Sequence, residues 1–365
     1  MNNYCIKPVN DTHNEAMLNV LASANISAKG LNIYFDKKPD IFAISNMKYA
    51  YCMNLGLFNS ESLGGFGSIG YYDALVENKP ETIFHFFNFY VAPEARGNKF
   101  MHRAADQFFS ATYNDASLGF AVTLKGNVPL ENQIGKQPYA TIPHSRTIDS
   151  LVVKTIVFSF PQKNNTPYKV QRATIENIPE IVNLLREEHS KRFFGNIIRE
   201  ENFLPLLKKK KGLRIDDYYL ATDRNGKIVG VCAAWDCSPF RQTRVLHYSK
   251  EFWPHLLGYQ LSSRILGMPP FPVKGGCFRE LTITDYGVKD RDPAIMHALL
   301  TEVYNSNRKK GYHFMNWGSC GSDPLLAAAK GFWHKNIVSN IVLACTRSDR
   351  FNIKTPLPYV DIAFL

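Results

Sequence analysis

The chain has 365 residues, 45% of them hydrophobic, with 25 Phe and 18 Tyr, enough to fill two cores, since single cores rarely grow beyond ~250 to 300 residues. Its seven cysteines are odd in number and scattered, which excludes a disulfide framework and offers no zinc or redox pair, so no metal is expected. The net charge of +11 lies wholly beyond residue 160, because residues 1–160 hold 13 Lys and Arg against 13 Asp and Glu. Lys208 to Lys211, Lys191 with Arg192, and Arg308 to Lys310 therefore predict a basic face, either a solvated surface or one that recruits an anionic partner such as an anionic small-molecule substrate or phosphorylated metabolite, nucleic acid or an anionic membrane surface. No leader-like start and no apolar run long enough to span a bilayer are present. A cytoplasmic protein is expected.

Thr12-His13-Asn14-Glu15 has capping-box spacing and predicts a first helix through Ala16, Met17, Val20 and Leu21. Apolar or alternating stretches at Tyr49 to Phe58, Ser68 to Val76 and Thr82 to Val91 predict an antiparallel meander, the last two joined by a hairpin at Glu77 to Pro80. A helix is expected over Asn98 to Tyr113, a strand over Leu118 to Leu124, a short helix capped by Asn127, and a strand over Leu151 to Phe160. Pro161 to Pro167 has linker composition. Beyond it the order repeats: strand Tyr168 to Ala173, a helix opened by Asn177 to Glu180, and strands Asp217 to Thr222 and Lys227 to Trp235 around an Asn225-Gly226 turn. Strand Glu280 to Val288, a helix capped by Asp292-Pro293, strand His313 to Trp317, a helix opened by Asp323-Pro324, and strand Asn336 to Ala344 complete the chain. One architecture used twice is predicted, with domains at 1–160 and 168–365 and a linker at 161–167.

The run Phe84-His85-Phe86-Phe87-Asn88-Phe89-Tyr90-Val91-Ala92-Pro93-Glu94-Ala95-Arg96-Gly97-Asn98-Lys99-Phe100 is an aromatic strand, a proline turn and a glycine loop opening a helix. Helix-start amides lack intrahelical partners and the dipole is positive there, so the backbone near Gly97 to Met101 suits a pyrophosphate. At these residues the sequence resembles the GCN5-related N-acetyltransferase (GNAT) superfamily, through Val91, Pro93, Glu94, Arg96 and Gly97; Lys99 and Met101 stand where that pattern has a second glycine and a small residue. The resemblance implies an α/β (α+β) fold of two tandem GNAT-like domains, each a mixed, largely antiparallel sheet flanked by helices. It implies acetyl-coenzyme A, or another acyl-coenzyme A, as co-substrate, with Tyr90 and Val91 toward the pantetheine arm and Arg96, Gly97, Asn98, Lys99, Phe100 and Met101 around the pyrophosphate. Asn127 matches an Asn at the mouth of the next strand. Phe35 to Phe42 is similar to a pattern in some bacterial members.

The expected activity is transfer of an acetyl group to an amine; an aminoacyl transferase on a doubled GNAT fold, or a non-catalytic acyl-coenzyme A sensor, are the alternatives. His85, on the coenzyme strand, is the candidate base. The Tyr that often serves as acid in the family is absent from Val128 to Lys136 and from Asp323 to Phe332. In the second half, Arg291, Asp292, Pro293 and Ala294 stand where Arg96 to Lys99 stand; Pro293 lacks an amide and Asp292 places a carboxylate where phosphates would sit. That half is expected to bind coenzyme poorly. Gly65-Phe66-Gly67-Ser68-Ile69-Gly70 fits Gly-x-Gly-x-x-Gly, but strand follows where a helix is required, so a loop is expected in place of a dinucleotide site. Trp317 and Trp333 are read as core.

Overall fold

The computed structural model describes residues 4–24, 26–28, 30–110, 116–136 and 142–365. The first half runs β1 (Tyr4–Pro8), α1 (Asn14–Ser23), β2 (Ile26–Ala28), β3 (Leu31–Asp36), α2 (Ala43–Lys48), β4 (Tyr51–Asn59), β5 (Ser62–Val76), β6 (Lys79–Val91), α3 (Phe100–Ser110), β7 (Leu118–Leu124), α4 (Val128–Glu131) and β8 (His144–Val157). After a segment without helix or strand over 161–167, the second half runs β9 (Lys169–Arg172), α5 (Ile178–Ser190), β10 (Gly195–Asn196), α6 (Glu200–Lys209), β11 (Tyr218–Thr222), β12 (Ile228–Asp236), β13 (Gln242–Tyr248), α7 (Trp253–Leu266), β14 (Cys277–Phe278), β15 (Glu280–Val288), α8 (Pro293–Asn307), β16 (Phe314–Cys320) and β17 (His334–Cys345).

The two halves share one sheet, ordered β1-β4-β5-β6-β7-β17-β8-β16-β15-β12-β11-β9, with β10 paired to β5. Pairing is antiparallel except for β6 with β7 and β15 with β16. The last strand of each half crosses over: β17 pairs with β7, and β8 pairs with β16 as well as with β17. A second sheet, β14-β13-β3-β2, joins the halves again. There Asp36 of β3 accepts from Arg244 of β13 at 2.8 Å. Helix α1 covers one face of the first-half sheet through Met17, Leu18 and Leu21, and α3 covers the other through Phe100, Ala104 and Phe108. Each of the Met, Leu and Phe side chains among these contributes roughly 1.5 to 3 kcal/mol of burial.

The expected order of elements is present, with local differences. The expected capping box at Thr12 does not form: a single turn of 3-10 helix, Asp11–His13, precedes α1 and is capped by Asn10, whose carboxamide accepts from the Thr12 amide at 3.2 Å, while α1 itself has no side-chain cap. The hairpin between β5 and β6 turns on Glu77 and Asn78, both left-handed (φ 50° and 64°). At Asn225-Gly226 only Gly226 takes positive φ (78°), and Asp223 gathers the amides of Asn225 and Lys227 at 2.9 and 3.0 Å. Pro324–Ala329 is 3-10 helix, with Asp323 capping Leu325. The expected loop Gly65 to Gly70 is strand inside β5, because its glycines make room for rings: a Cβ on Gly67 would meet Phe89 at 2.6 Å, and one on Gly70 would meet Tyr49 at 2.5 Å. Trp317 is fully buried, but Trp333 is 61% exposed and is not core. Residues Ala111 to Tyr113 of the helix expected over Asn98 to Tyr113 lie outside the described residues.

Candidate coenzyme and acceptor site

Strand β6 pairs in parallel with β7 at only three positions, Phe84↔Gly119, His85↔Phe120 and Phe86↔Ala121. Beyond them the strands part. β6 stays on β5 but carries one extra residue, since Phe87 to Tyr90 oppose only Ser68 to Phe66. The bulge is centred on Asn88, left-handed at φ 56°, and such a residue turns its neighbours' amides out of the ladder. Past the strand, Pro93–Ala95 makes a 3-10 turn, Gly97 (φ 86°) and Lys99 (φ 52°) are left-handed, and Arg103 donates the first helical bond to the Lys99 carbonyl at 3.1 Å. The amides of Phe100 and Met101 therefore open α3 at the parted end of the two strands. A Cβ on Gly97 would meet nothing within 4 Å, so the approach to this backbone is open. Arg96, Gly97 and Lys99 are exposed, Asn98 is half-buried with its side chain donating to Ala95 O at 2.8 Å, and Tyr90 is half-buried against Phe66. Val91 ends β6 opposite Gly65. Asn127 is exposed at the end of β7 and starts α4 with its carbonyl. Glu94 is exposed.

On the opposite face of β6 from α3, His85 is buried (1% exposed) between the rings of Phe120 at 4.2 Å and Phe87 at 5.5 Å. Its Nδ1 is 2.6 Å from the Tyr49 hydroxyl. Burial first, then the nearby Lys48 and Lys37 cations, hold this imidazole neutral, well below the usual histidine range. Tyr49 is buried too, which raises its phenol. It opens onto a cavity of about 460 Å³ whose wall also includes Lys48 and Tyr72 from the first half and Lys210, Tyr218, Asp285, Tyr359, Asp361 and Phe364 from the second. Lys48 Nζ lies 5.1 to 5.7 Å from the ring centres of Tyr72, Tyr49, Phe120 and Phe364, and burial lowers it to about 8. Asp285 is a second bulge, at φ 43° in β15. Its carboxylate takes Lys210 Nζ at 2.5 Å and the Tyr218 hydroxyl at 2.6 Å. Asp361 accepts from Thr284 Oγ1 at 2.8 Å and from the Ala363 amide at 3.0 Å, and burial raises its carboxyl.

Lys37, in the turn after β3, is 3% exposed and donates to Asn88 Oδ1 at 2.6 Å, tying the bulge to the motif Phe35 to Phe42. Asp36 and Asp40 fold that turn by accepting from the Lys38 and Phe42 amides. Lys37, Tyr49 and Asp361 were not singled out by sequence; only the Phe35 to Phe42 pattern pointed near one of them.

At the matching place in the second half, the start of α8 is closed. Asp292 Oδ1 accepts from the Ala294 amide at 2.8 Å, and Tyr168 donates to its other oxygen at 3.1 Å. Arg291 is spent on Glu188 and Asp323, which Arg192 also pairs with at 2.6 and 3.0 Å. Arg192 is 3% exposed, and Lys210 holds Asp285. These two cations, expected on a basic face, are interior. Among the described residues no cluster of His, Cys, Asp and Glu could hold a metal ion, and all seven cysteines are free.

No family model and no curated protein sequence matches the chain. Solved structures do. N-myristoyltransferase of Saccharomyces cerevisiae with bound myristoyl-CoA superposes with a TM-score of 0.61 at 12% identity, over 94% of this chain and 83% of that one. A GCN5-related N-acetyltransferase from Sphaerobacter thermophilus gives 0.57 at 11% identity, over 99% and 98%. The GCN5-related glucosamine N-acetyltransferase region of a fungal multi-domain β-N-acetylglucosaminidase gives 0.60 at 12%, over 94% of this chain and 38% of that one. The chain has the GNAT fold, as a mixed and mostly antiparallel sheet flanked by helices.

Proposed function

We propose that this chain, on a fold it shares with N-acetyltransferases and N-myristoyltransferase, transfers an acyl group from acyl-coenzyme A to an amine, with the coenzyme held by the first half. The observation that carries this is the gap where β6 leaves β7 beyond Phe86 and Ala121, with the Asn88 bulge on one side and the opened start of α3 at its end. A pantetheine arm in that gap would pair with backbone at Tyr90 and Val91, and a pyrophosphate would meet Arg96, Gly97, Asn98, Lys99, Phe100 and Met101, with Asn127 across the mouth. The second half would be a coenzyme-free repeat, since Asp292 already fills its helix start.

The amine would enter through the cavity shared by the halves, where Asp361 draws the ammonium. One proton passes to His85 through Tyr49, the nitrogen attacks the thioester carbonyl, and the C–S bond breaks to release coenzyme A thiolate, which takes up the second proton shed by the new amide nitrogen. Neutral imidazole is the form a base needs. Because burial disfavours its charged form, the proton is held only transiently. Tyr49 also supplies a hydroxyl where the usual helix-borne Tyr is absent. Of the neighbours named above, one holds myristoyl-CoA and two are named as N-acetyltransferases; acetyl is the first to test.

Calorimetry with acetyl-, octanoyl- and myristoyl-coenzyme A should show binding weakened at least about tenfold by Arg96→Glu, and thiol release across an amine panel should accompany it. Absence of binding at millimolar ligand overturns the proposal. Binding without thiol release would leave an acyl-coenzyme A binding module.

A further inference from the structure

We propose that α7 and the turn after it form a face that docks into the headgroup layer of an anionic bilayer. Trp253, Leu257, Leu261 and Ile265 recur every fourth residue of α7 and are 53, 53, 65 and 84% exposed; Val273, on the returning segment, is 77% exposed. Large apolar residues scattered singly are ordinary on a protein surface, but a four-residue stripe on one helix is not.

The inward side of the helix is fixed. Leu256 and Ser263 are buried, Tyr259 meets Phe271 edge-on at 4.3 Å, Phe271 meets Phe278 at 5.3 Å, and Phe252 stacks on Tyr248 at 5.4 Å. The outward stripe is thus held in place with its apolar face toward water. Fourteen residues make a helix of about 21 Å, short of the roughly 30 Å hydrocarbon core, and no described helix is long and apolar enough to cross a membrane. Such a helix lies in the interfacial plane, with Trp at the headgroup level.

Charge selects the partner. Lys250, Arg264 and Lys274 are exposed in the same segment, and Glu251 is the only acid between residues 249 and 276. Anionic lipid complements this border. A second copy would bring the same three cations against each other, and a single helix ridge needs no matching groove when the partner is a fluid bilayer.

Flotation of the full chain with phosphatidylcholine vesicles containing about one-third phosphatidylserine tests the proposal. Binding is expected at low salt, with little to phosphatidylcholine alone. Leu257→Ser, Leu261→Ser and Ile265→Ser combined should weaken it at least about tenfold, as should Lys250→Glu with Lys274→Glu. These side chains already face water, so circular dichroism and melting should stay as in the parent. Failure to float at low salt, equal flotation of the triple variant, or a dimer that the triple variant disperses without vesicle binding would each overturn it.

Discussion

Lys37 shows most directly how one residue carries the cost of the site. Burial, and then Arg241, push its amine down to about 7, against an ordinary 10.5. Between those two values the unfolded chain binds more protons at this group than the folded one, so its contribution to stability rises with pH across that window and is least favourable below pH 7. Replacing Lys37 with Met removes that dependence. The difference in unfolding free energy between Lys37→Met and the parent should therefore favour the variant most near pH 6.5 and shift toward the parent by up to a few kcal/mol as pH approaches 10, at about 1.4 kcal/mol per unit. Urea titrations at three pH values measure this; a pH-independent difference would contradict it. Gly70 carries a related constraint. A Cβ there would meet the Tyr49 ring at 2.5 Å, so Gly70→Ala must shift that ring away from His85. We expect Gly70→Ala to mimic Tyr49→Phe in thiol-release assays, each losing rate about tenfold or more with acyl-coenzyme A affinity nearly unchanged, because neither touches the loop at Arg96.

At the scale of the element, β6, its bulge and α3 form one device, and glycines at its two ends do different things. Gly119 sits where β6 and β7 pair, and a Cβ there would collide with the Phe84 ring and carbonyl. Gly97 is needed for its positive φ but faces open space. Gly119→Ala should lower stability by about 1 to 3 kcal/mol through overpacking, whereas Gly97→Ala should cost nearer 1 kcal/mol of backbone strain and fall mainly on acyl-coenzyme A affinity. Thermal melts beside calorimetry separate the two; equal effects on both quantities would refute the division. This device was legible in sequence because its parts are contiguous: Val91, Pro93, Arg96 and Gly97 spell a strand end, a turn and a helix start in one run. Strands such as β7 and β15, and the capped helix α8, were legible for the same reason. The bulge centred on Asn88 has no such contiguous mark, since it interrupts an aromatic run that reads as plain strand. Tyr49, Lys37 and Asp361 were hidden because each reaches the site by tertiary approach from a distant segment. Helix α7 was hidden for another reason: its apolar stripe faces outward, so it marks no core.

At the scale of the molecule, the crossed strands decide how the two halves depend on each other. β7 finds its outer partner in β17, and β8 lies between β17 and β16, so each half completes the other's sheet. Met47 and Ile44 of α2 pack into the core that α5 and α6 build, and the cavity beside His85 takes walls from both halves. Residues 1–160 alone would expose both faces of an unpaired β7 edge, and residues 168–365 alone would leave β16 and β17 without β8, a condition that favours edge-to-edge aggregation. Heating the intact chain should therefore give one calorimetric transition, with equal van't Hoff and calorimetric enthalpies. The separated segments should be insoluble or unfolded when produced singly, and should recover structure when produced together. Two resolved transitions, or a folded and monomeric 1–160 segment, would show that the halves are autonomous and that the exchanged strands only decorate two independent cores.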